Sequence, residues 1–540
     1  MTNNDNSYDY IIVGAGSAGC ALAYRLSQDS AKRVLLLEAG GRDRHPVIHM
    51  PLGFAFLMKH KSLNWCYQTE PEPNMDGRAM SWPRGKVLGG CSSINGMVYI
   101  RGQREDYDHW AALGNRGWSY ADVLPYFKRS EHKAEGGNEH HGADGPLWVE
   151  EVPENEKLAL AELFIEAAVS TGLPRCTDFN GASQEGAGYY QLNIRKGKRQ
   201  STARTFLRQC EQRPNLELVT GALCQRVLLE GGRAVGVEYS ANTIGGKKRQ
   251  RALATGEVIL CGGVINSPQL LELSGIGDSE RLGAAGVPVQ HHLPGVGENL
   301  QDHLTINIQQ NLHGLVTFFE ETRPLHLVKN LFKYLSRGRG LLAHPASQAG
   351  VFFRSSPAEA TPDAQVHFAP AASEPDDKGN LQSVPGTTAT VCHLRPRSRG
   401  SVHIHCSDPA VYPRIRANYL DDEHDRRSMV AAVRKVRDIF ASPLLDAHRG
   451  PEILPGADVQ SDEDILAYIR ANAESVYHPV GSCKMGNDAM AVVDERLRVH
   501  SVAGLRVADA SIMPRVIAGN TNATAIMIAD KCADMLLEDA

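Results

Sequence analysis

The chain has 540 residues, 42% of them hydrophobic and 22% charged, with 51 glycines and a formal net charge of −5. This length exceeds one ordinary core and points to two or three domains of a soluble globular protein, and the charge balance excludes the basic footprint of a nucleic-acid binder. No apolar run reaches the length of a membrane span, and Met1–Ser7 is polar with no basic region and apolar stretch after it, so a cytoplasmic location is expected.

Asp9–Val13 reads as a buried strand that runs into Gly14-Ala15-Gly16-Ser17-Ala18-Gly19 and then into a helix over Cys20–Leu26. A second apolar run, Val34–Leu37, ends in Glu38, followed by Ala39. This is a complete dinucleotide-binding unit. Gly14 serves the tight turn, Gly16 lets backbone amides approach a pyrophosphate, and Gly19 lets helix pack close to strand. The phosphates sit at the helix N-terminus, and Glu38 accepts hydrogen bonds from a ribose.

Arg42–Ser81 is rich in Pro, His and Met and reads as a long functional loop. Its apolar string Phe54–Met58 has two readings, a strip of core or a lid over a site. Gly85–Asn95 packs three glycines and two serines around one lysine, a second place where amides embrace a cofactor. Glu257–Cys261 reads as a buried strand, with a helix expected to start at Ser267-Pro268, serine as cap and proline in the first turn. From Thr305 to about Ala473 strands such as Gln365–Phe368 and Val402–His405 alternate with basic loops, as in a separate domain inserted into the first. The last segment returns to a strand, Leu505–Asp509, and an apolar helix, Thr521–Leu537.

Eleven cysteines, with no C-x-x-C pair, read as reduced thiols that fill small apolar spaces. The pairs His140-His141 and His291-His292 lack ligands at metal spacing and read as solvated loop histidines. No metal site is expected.

These residues together resemble the glucose–methanol–choline oxidoreductases, along nearly the whole chain. Gly85–Asn95 is similar to that family's first signature. Gly263–Pro268 through Ser274–Gly277 is similar to its second, with Val264 where a smaller residue is usual. Gly295–His303, Leu394–Gly400, His478–Gly486 and Val507–Pro514 match further blocks.

The resemblance implies an α/β fold: a Rossmann-like FAD-binding domain with an inserted substrate domain on a mainly antiparallel sheet. The expected division gives residues 1–155, 195–308 and 475–540 to FAD, and 156–194 and 309–474 to substrate. The cofactor implied is FAD, held by Gly14, Gly16, Ser17, Ala18, Gly19, Glu38 and Ala39. The loop supplies Gly85, Leu88, Gly89, Gly90, Ser92, Asn95 and Gly96, and Cys224 meets the adenine through its backbone. Asp509, Ala510, Asn520 and Thr521 complete the set. Ile94 stands where some relatives tether FAD through a histidine, which implies non-covalent binding.

The family's catalytic pair falls on His478 and Asn520, with Asn522 as the rival amide. A neutral imidazole, with an ordinary pKa of about 6.5, can take an alcohol's proton at neutral pH. The Asn520 amide can stabilise the alkoxide while a hydride passes to flavin N5. The expected reaction is oxidation of a primary, uncharged aliphatic or aromatic alcohol to the aldehyde, with oxygen or a quinone as electron acceptor. The pattern is similar to bacterial alcohol and choline dehydrogenases of the family. Choline itself is the alternative, as is a non-redox hydroxynitrile lyase on the same fold. Leu304 and Thr305 stand where a choline-binding acid is sought, and Phe54–Met58 and Phe318-Phe319 suit an uncharged substrate. Pro324–Arg337 forms a basic amphipathic helix, either docked in a membrane surface or packing its stripe on the substrate domain. Oligomeric state is not legible.

Overall fold

The computed structural model describes residues 6–243, 246–345, 347–375 and 381–539; Met1–Asp5 of the polar N-terminus lie outside them. Ser7–Val13 pairs in parallel with Val34–Glu38 on one side and Gly246–Leu260 on the other. Ile11, Ile12, Leu35 and Leu36 have no exposed surface. Strands covered on both faces carry continuous apolar runs of this kind, because helices close both sides of a parallel sheet. The sheet has seven strands. Leu216–Thr220 and Val34–Glu38 precede Ser7–Val13 in spatial order, then Gly246–Leu260 and a hairpin of Arg233–Thr243 with Leu223–Glu230. Leu505–Val507 joins in parallel beside Gly246–Leu260. Helices Ser17–Leu26 and Asn522–Glu538 pack against each other over this sheet and share its core.

The helix expected to begin at Ser267 starts earlier, at Gly263, and runs to Leu273 with Pro268 inside it. Its cap comes from far away. The Asp509 carboxylate accepts from the Gly263 N–H at 2.8 Å and from Ser267 Oγ at 2.6 Å, so Ser267 links two segments instead of capping. Pro268 has no N–H for the carbonyl of Val264, and that carbonyl accepts from Ser482 Oγ at 2.5 Å instead.

The second sheet also has seven strands, all antiparallel, with Leu304–Leu312, Gly386–His393 and Ala364–Ala369 at its centre. Its alternation decides which way each side chain faces. Leu304, Ile306, Ile308, Val366, Phe368, Ala389 and Val391 join a core with helices Ala159–Ser170 and Glu423–Phe440. Thr305, Asn307, His367, Thr388 and Thr390 point the other way, into a cavity between the two sheets. The fold is therefore α/β, a doubly wound unit beside an antiparallel one.

Arg42–Ser81 is more ordered than a loop, holding short helices at Pro46–His49 and Phe54–Leu57 and a strand at Tyr67–Gln68 that pairs with Ser81–Trp82. His141 is not a solvated histidine. It is buried, its Nδ1 2.9 Å from Glu131 and its Nε2 2.9 Å from Asp178. Burial opposes its charge, but hydrogen bonds to those two carboxylates raise its pKa above the ordinary value. All eleven cysteines are free.

A Cβ on Gly19 would lie 1.8 Å from the Gly14 carbonyl oxygen, so the first helix cannot carry a side chain there. Gly19→Ala should destabilise the protein by about 1–3 kcal/mol through overpacking. Gly283→Ala, at a helical position with nothing within 4 Å, should leave Tm unchanged or raise it. A fluorimetric melt in which both variants match wild type would refute this packing account.

Candidate active site

A cavity of about 630 Å³ runs from the glycine turn after the first strand to the polar face of the second sheet. At one end Gly14, Gly16, Ser17 and Ala18 line it, with Glu38, Ala39 and Cys224 beyond. The helix Ser17–Leu26 begins there with Gly16 as N-cap, no side-chain cap and no acid in its first turn. Its free amides and positive dipole end are left for an anion. Glu38 is buried; its Oε2 accepts from the Ala15 N–H at 3.0 Å and its Oε1 from the Gly40 N–H at 2.7 Å. Burial pushes this carboxyl up to about 7, against the pull of those two amides. Each oxygen keeps a second acceptor site for a diol.

Gly85, Gly90, Asn95 and Gly96 line the middle of the cavity, with Asp509, Ala510 and Thr521 from the C-terminal segment. A Cβ on Gly16 would approach only the Gly90 Cα, at 3.9 Å, and one on Gly263 nothing within 4 Å. The backbone faces are thus open where a ligand would lie against them. Four expected residues stand behind this wall. Gly19 packs on Gly14, and Leu88 is buried. The Gly89 N–H donates to the Ala15 carbonyl at 2.8 Å. Ser92 Oγ donates to the Gly89 carbonyl at 2.6 Å and meets Thr202 Oγ1 at 3.0 Å. Ile94 lines the cavity. The unpaired helix start, the open glycine faces and the paired oxygens of Glu38 together fit a dinucleotide with a diphosphate.

At the far end His478 Nε2 lies 3.0 Å from Asn520 Nδ2. Asn522 is turned elsewhere, its Oδ1 accepting from Ser17 Oγ at 2.7 Å. The hydrogen bonds behind His478 fix its tautomer. His303 Nε2 lies 3.2 Å from the Leu394 carbonyl, which can only accept, so the His303 proton is on Nε2 and its Nδ1 is a lone pair. That Nδ1 lies 3.1 Å from His478 Nδ1, which therefore carries the proton. His478 Nε2 is left as an acceptor on the cavity side, where it takes an N–H of Asn520. Burial holds His303 down to about 3 and holds His478 well below its ordinary value, with His303, His367 and Arg84 adding repulsion at His478.

Two further groups set the pair's orientation. Asn520 Oδ1 accepts from Gln365 Nε2 at 3.2 Å, which turns the Asn520 NH₂ toward His478. The Asp302 carboxylate accepts from Ser475 Oγ at 2.5 Å, from the Tyr419 hydroxyl, and from the backbone N–H of His478 at 2.8 Å. His303, Asp302 and Gln365 were not singled out in the sequence as members of the site. The signal for Gln365 was available, since it lies in a strand whose side chains alternate between core and cavity.

Two expectations about the substrate end need correction. Phe318 and Phe319 do not line the cavity; Phe318 packs near His344 and Phe319 under the Arg323 guanidinium. The absence of an acid near Thr305 is also wrong, because Glu474 pairs with Thr305 across neighbouring strands and lines the cavity. No acid could be read beside Thr305 because its partner lies on a strand far along the chain. Phe54 and Met58 line the cavity, whereas Leu57 is core and Phe56 faces outward, so the string Phe54–Met58 is divided between core, cavity wall and surface.

Family models described as GMC oxidoreductase match residues 8–305 and 396–529. An oxygen-dependent choline dehydrogenase of Yersinia pseudotuberculosis serotype IB (strain PB1/+) is 47% identical over 533 residues, 98% of this chain and 93% of the relative. An alcohol dehydrogenase [acceptor] of Pseudomonas putida is 44% identical over 534 residues, 98% of this chain and 96% of the relative. Pyridoxine 4-oxidase from Mesorbium loti superposes with a TM-score of 0.88 at 33% identity, over 98% of each chain. An FAD-dependent oxidoreductase from Chaetomium thermophilum does so with a TM-score of 0.90 at 29% identity, over 98% of this chain and 99% of that one. The dinucleotide cradle, the matched length and these likenesses converge: the chain belongs to the GMC oxidoreductase family, and its cofactor is FAD.

Proposed function

We propose that this chain oxidises a primary, uncharged aliphatic or aromatic alcohol to the aldehyde, with His478 as the base and Asn520 as the alkoxide stabiliser. The observation that carries the reading is the acceptor lone pair of His478 Nε2, facing the Asn520 amide inside the cavity. The substrate hydroxyl donates its proton to Nε2, and an Asn520 N–H bonds the oxygen as negative charge develops on it. His303 keeps the His478 proton on Nδ1 and so keeps Nε2 ready. FAD, when bound, supplies the acceptor for the hydride from the alcohol carbon.

The lining supports a neutral substrate. Thr305, Asn307, Thr388, Thr390 and Ala369 offer hydroxyls, amides and methyls but no charge. The carboxylates of Glu38 and Asp509 already serve backbone amides, and the Arg84 guanidinium on the wall disfavours a second cation. The second reading is choline, favoured by Glu474 and by the choline dehydrogenases at 47% identity. Glu474 is exposed and so well screened, which makes it a weak anchor for a quaternary ammonium. Comparing kcat/KM for benzyl alcohol, a medium-chain alkanol and choline decides between them. Choline is expected last of the three, and its emergence as the best would overturn the neutral-alcohol reading.

We further propose that FAD is held without a covalent bond, because Ile94 at the cavity wall has no nucleophile, and that Glu38 holds the adenosine ribose. Acid precipitation should release the flavin to the supernatant, and colour kept in the pellet would refute the first claim. Glu38→Gln turns an acceptor into an NH₂ group facing a backbone N–H, and should weaken FAD retention about 10-fold or more. Unchanged retention on equilibrium dialysis would remove Glu38 from the ribose site.

For catalysis, His478→Ala should keep FAD bound while anaerobic flavin reduction slows about 10²-fold or more. Asn520→Ala should cost about 10²–10³. A base titrating well below its ordinary value loses activity only at low pH, so the reduction rate constant should be flat from about pH 8 to 6.5. A fall centred near neutrality in stopped-flow reduction, or wild-type speed without His478, would sink the assignment.

A further inference from the structure

Helix Pro324–Arg337 does not pack its apolar stripe on the substrate domain. It rests on the opposite side, where Asn330 is buried and donates to Glu321 Oε2 at 2.6 Å. Its outer face presents Leu325, Val328, Phe332 and Leu335 at 85%, 69%, 73% and 75% exposure, with Leu331 at 44%. Single exposed apolar residues are ordinary, but five on one helix face form a patch that water does not favour.

Charge surrounds this patch. Lys329, Lys333, Arg337 and Arg339 are exposed on or just beyond the helix, and none has an ion-pair partner among the described residues. The hairpin carrying exposed Lys196 and Lys198 abuts the helix end so closely that a Cβ on Gly197 would lie 2.0 Å from the Gly338 carbonyl oxygen. The nearby acids are committed, Glu320 to capping Thr317 and Glu321 to Asn330. The turn Leu341–Ala343 packs on the helix and on Pro51–Gly53, which leads into Phe54–Leu57. On that short helix Phe54, with the following Met58, lines the cavity, while Phe56 is 74% exposed beside exposed Lys59 and Lys61.

We infer that this face docks on an anionic lipid surface, with Leu325, Val328, Phe332, Leu335 and Phe56 entering the headgroup boundary and the lysines and arginines meeting the lipid charges. An apolar stripe flanked by cations is the pattern of a helix lying in an interface. A second copy of the chain is the poorer occupant, because a two-fold contact through this patch would set the same cations against each other. The docked face includes the short helix that carries the cavity-lining Phe54, so the lipid lies beside one wall of the cavity. The inference is independent of the alcohol reading, since binding is measured without turnover.

The test is flotation of the FAD-loaded full chain with vesicles of phosphatidylglycerol and phosphatidylcholine at low salt, against vesicles of phosphatidylcholine alone. The chain should float with the anionic vesicles, at least about 5-fold less with the neutral ones, and be largely released by about 0.5 M NaCl. Phe332→Glu/Leu335→Glu and Lys333→Glu/Arg337→Glu should each stay at the bottom with flavin spectrum and Tm unchanged. Wild-type protein remaining at the bottom at low salt would overturn the proposal. So would flotation equal in wild type and both variants, or a vesicle-free dimer by sedimentation that Phe332→Glu dissolves.

Discussion

Backbone touching backbone is the constraint on which the cofactor cradle depends. A Cβ on Gly90 would lie 2.7 Å from the Gly16 Cα, and one on Gly40 2.0 Å from the Lys86 carbonyl oxygen. These contacts press the first glycine turn, the loop after Glu38 and the Gly85–Gly96 loop into one layer with no side chains between them. Hydrogen bonds stitch the same layer: the Leu88 N–H to the Gly41 carbonyl at 3.0 Å and the Ala222 N–H to the Glu38 carbonyl at 2.8 Å. A cradle built from backbone can bring amides to a phosphate at close range and does not depend on the rotamer of any side chain.

The end of the cavity proposed to be catalytic is built on the opposite principle, a relay of side chains anchored far apart in the chain. The carbonyl of Leu394 sets the tautomer of His303, which sets that of His478, while Gln365 turns Asn520 to meet it. Burial makes such a relay stringent, because an imidazole in a low dielectric that lost its partner would carry the full cost of an unsatisfied polar group. The second sheet supplies both faces of this arrangement at once. Its apolar residues anchor the sheet to two helices, and the residues between them line the cavity beside His478 and Asn520.

Much of this was legible in the residues. The strand–turn–helix at Ser7–Leu26 and the role of Gly19 follow from local chemistry, and so does the amphipathic pattern of Pro324–Arg337. The misreadings share a physical cause. Ser267 reads as a cap because its true partner, Asp509, lies in another segment, and His141 reads as solvated because Glu131 and Asp178 reach it only in three dimensions. Thr305 marks a place without an acid in sequence, yet pairing across strands brings Glu474 beside it. Local pattern specifies elements well, whereas the partners of buried polar groups are set by topology.

That topology also orders the protein's assembly. Leu505–Val507 completes the sheet begun by Ser7–Val13, and Asn522–Glu538 covers Ser17–Leu26, where Arg25 pairs with Asp530 and Asp534. During synthesis, at roughly 5–20 residues per second, about 25–100 s pass between the two helices leaving the ribosome. For that interval the apolar surface of Ala21, Leu22 and Leu26 has no native partner from the C-terminal helix. Asp509, Ala510 and Thr521, which line the flavin cavity, lie in that same late segment, so the cavity wall is closed only after the other lining segments have been made.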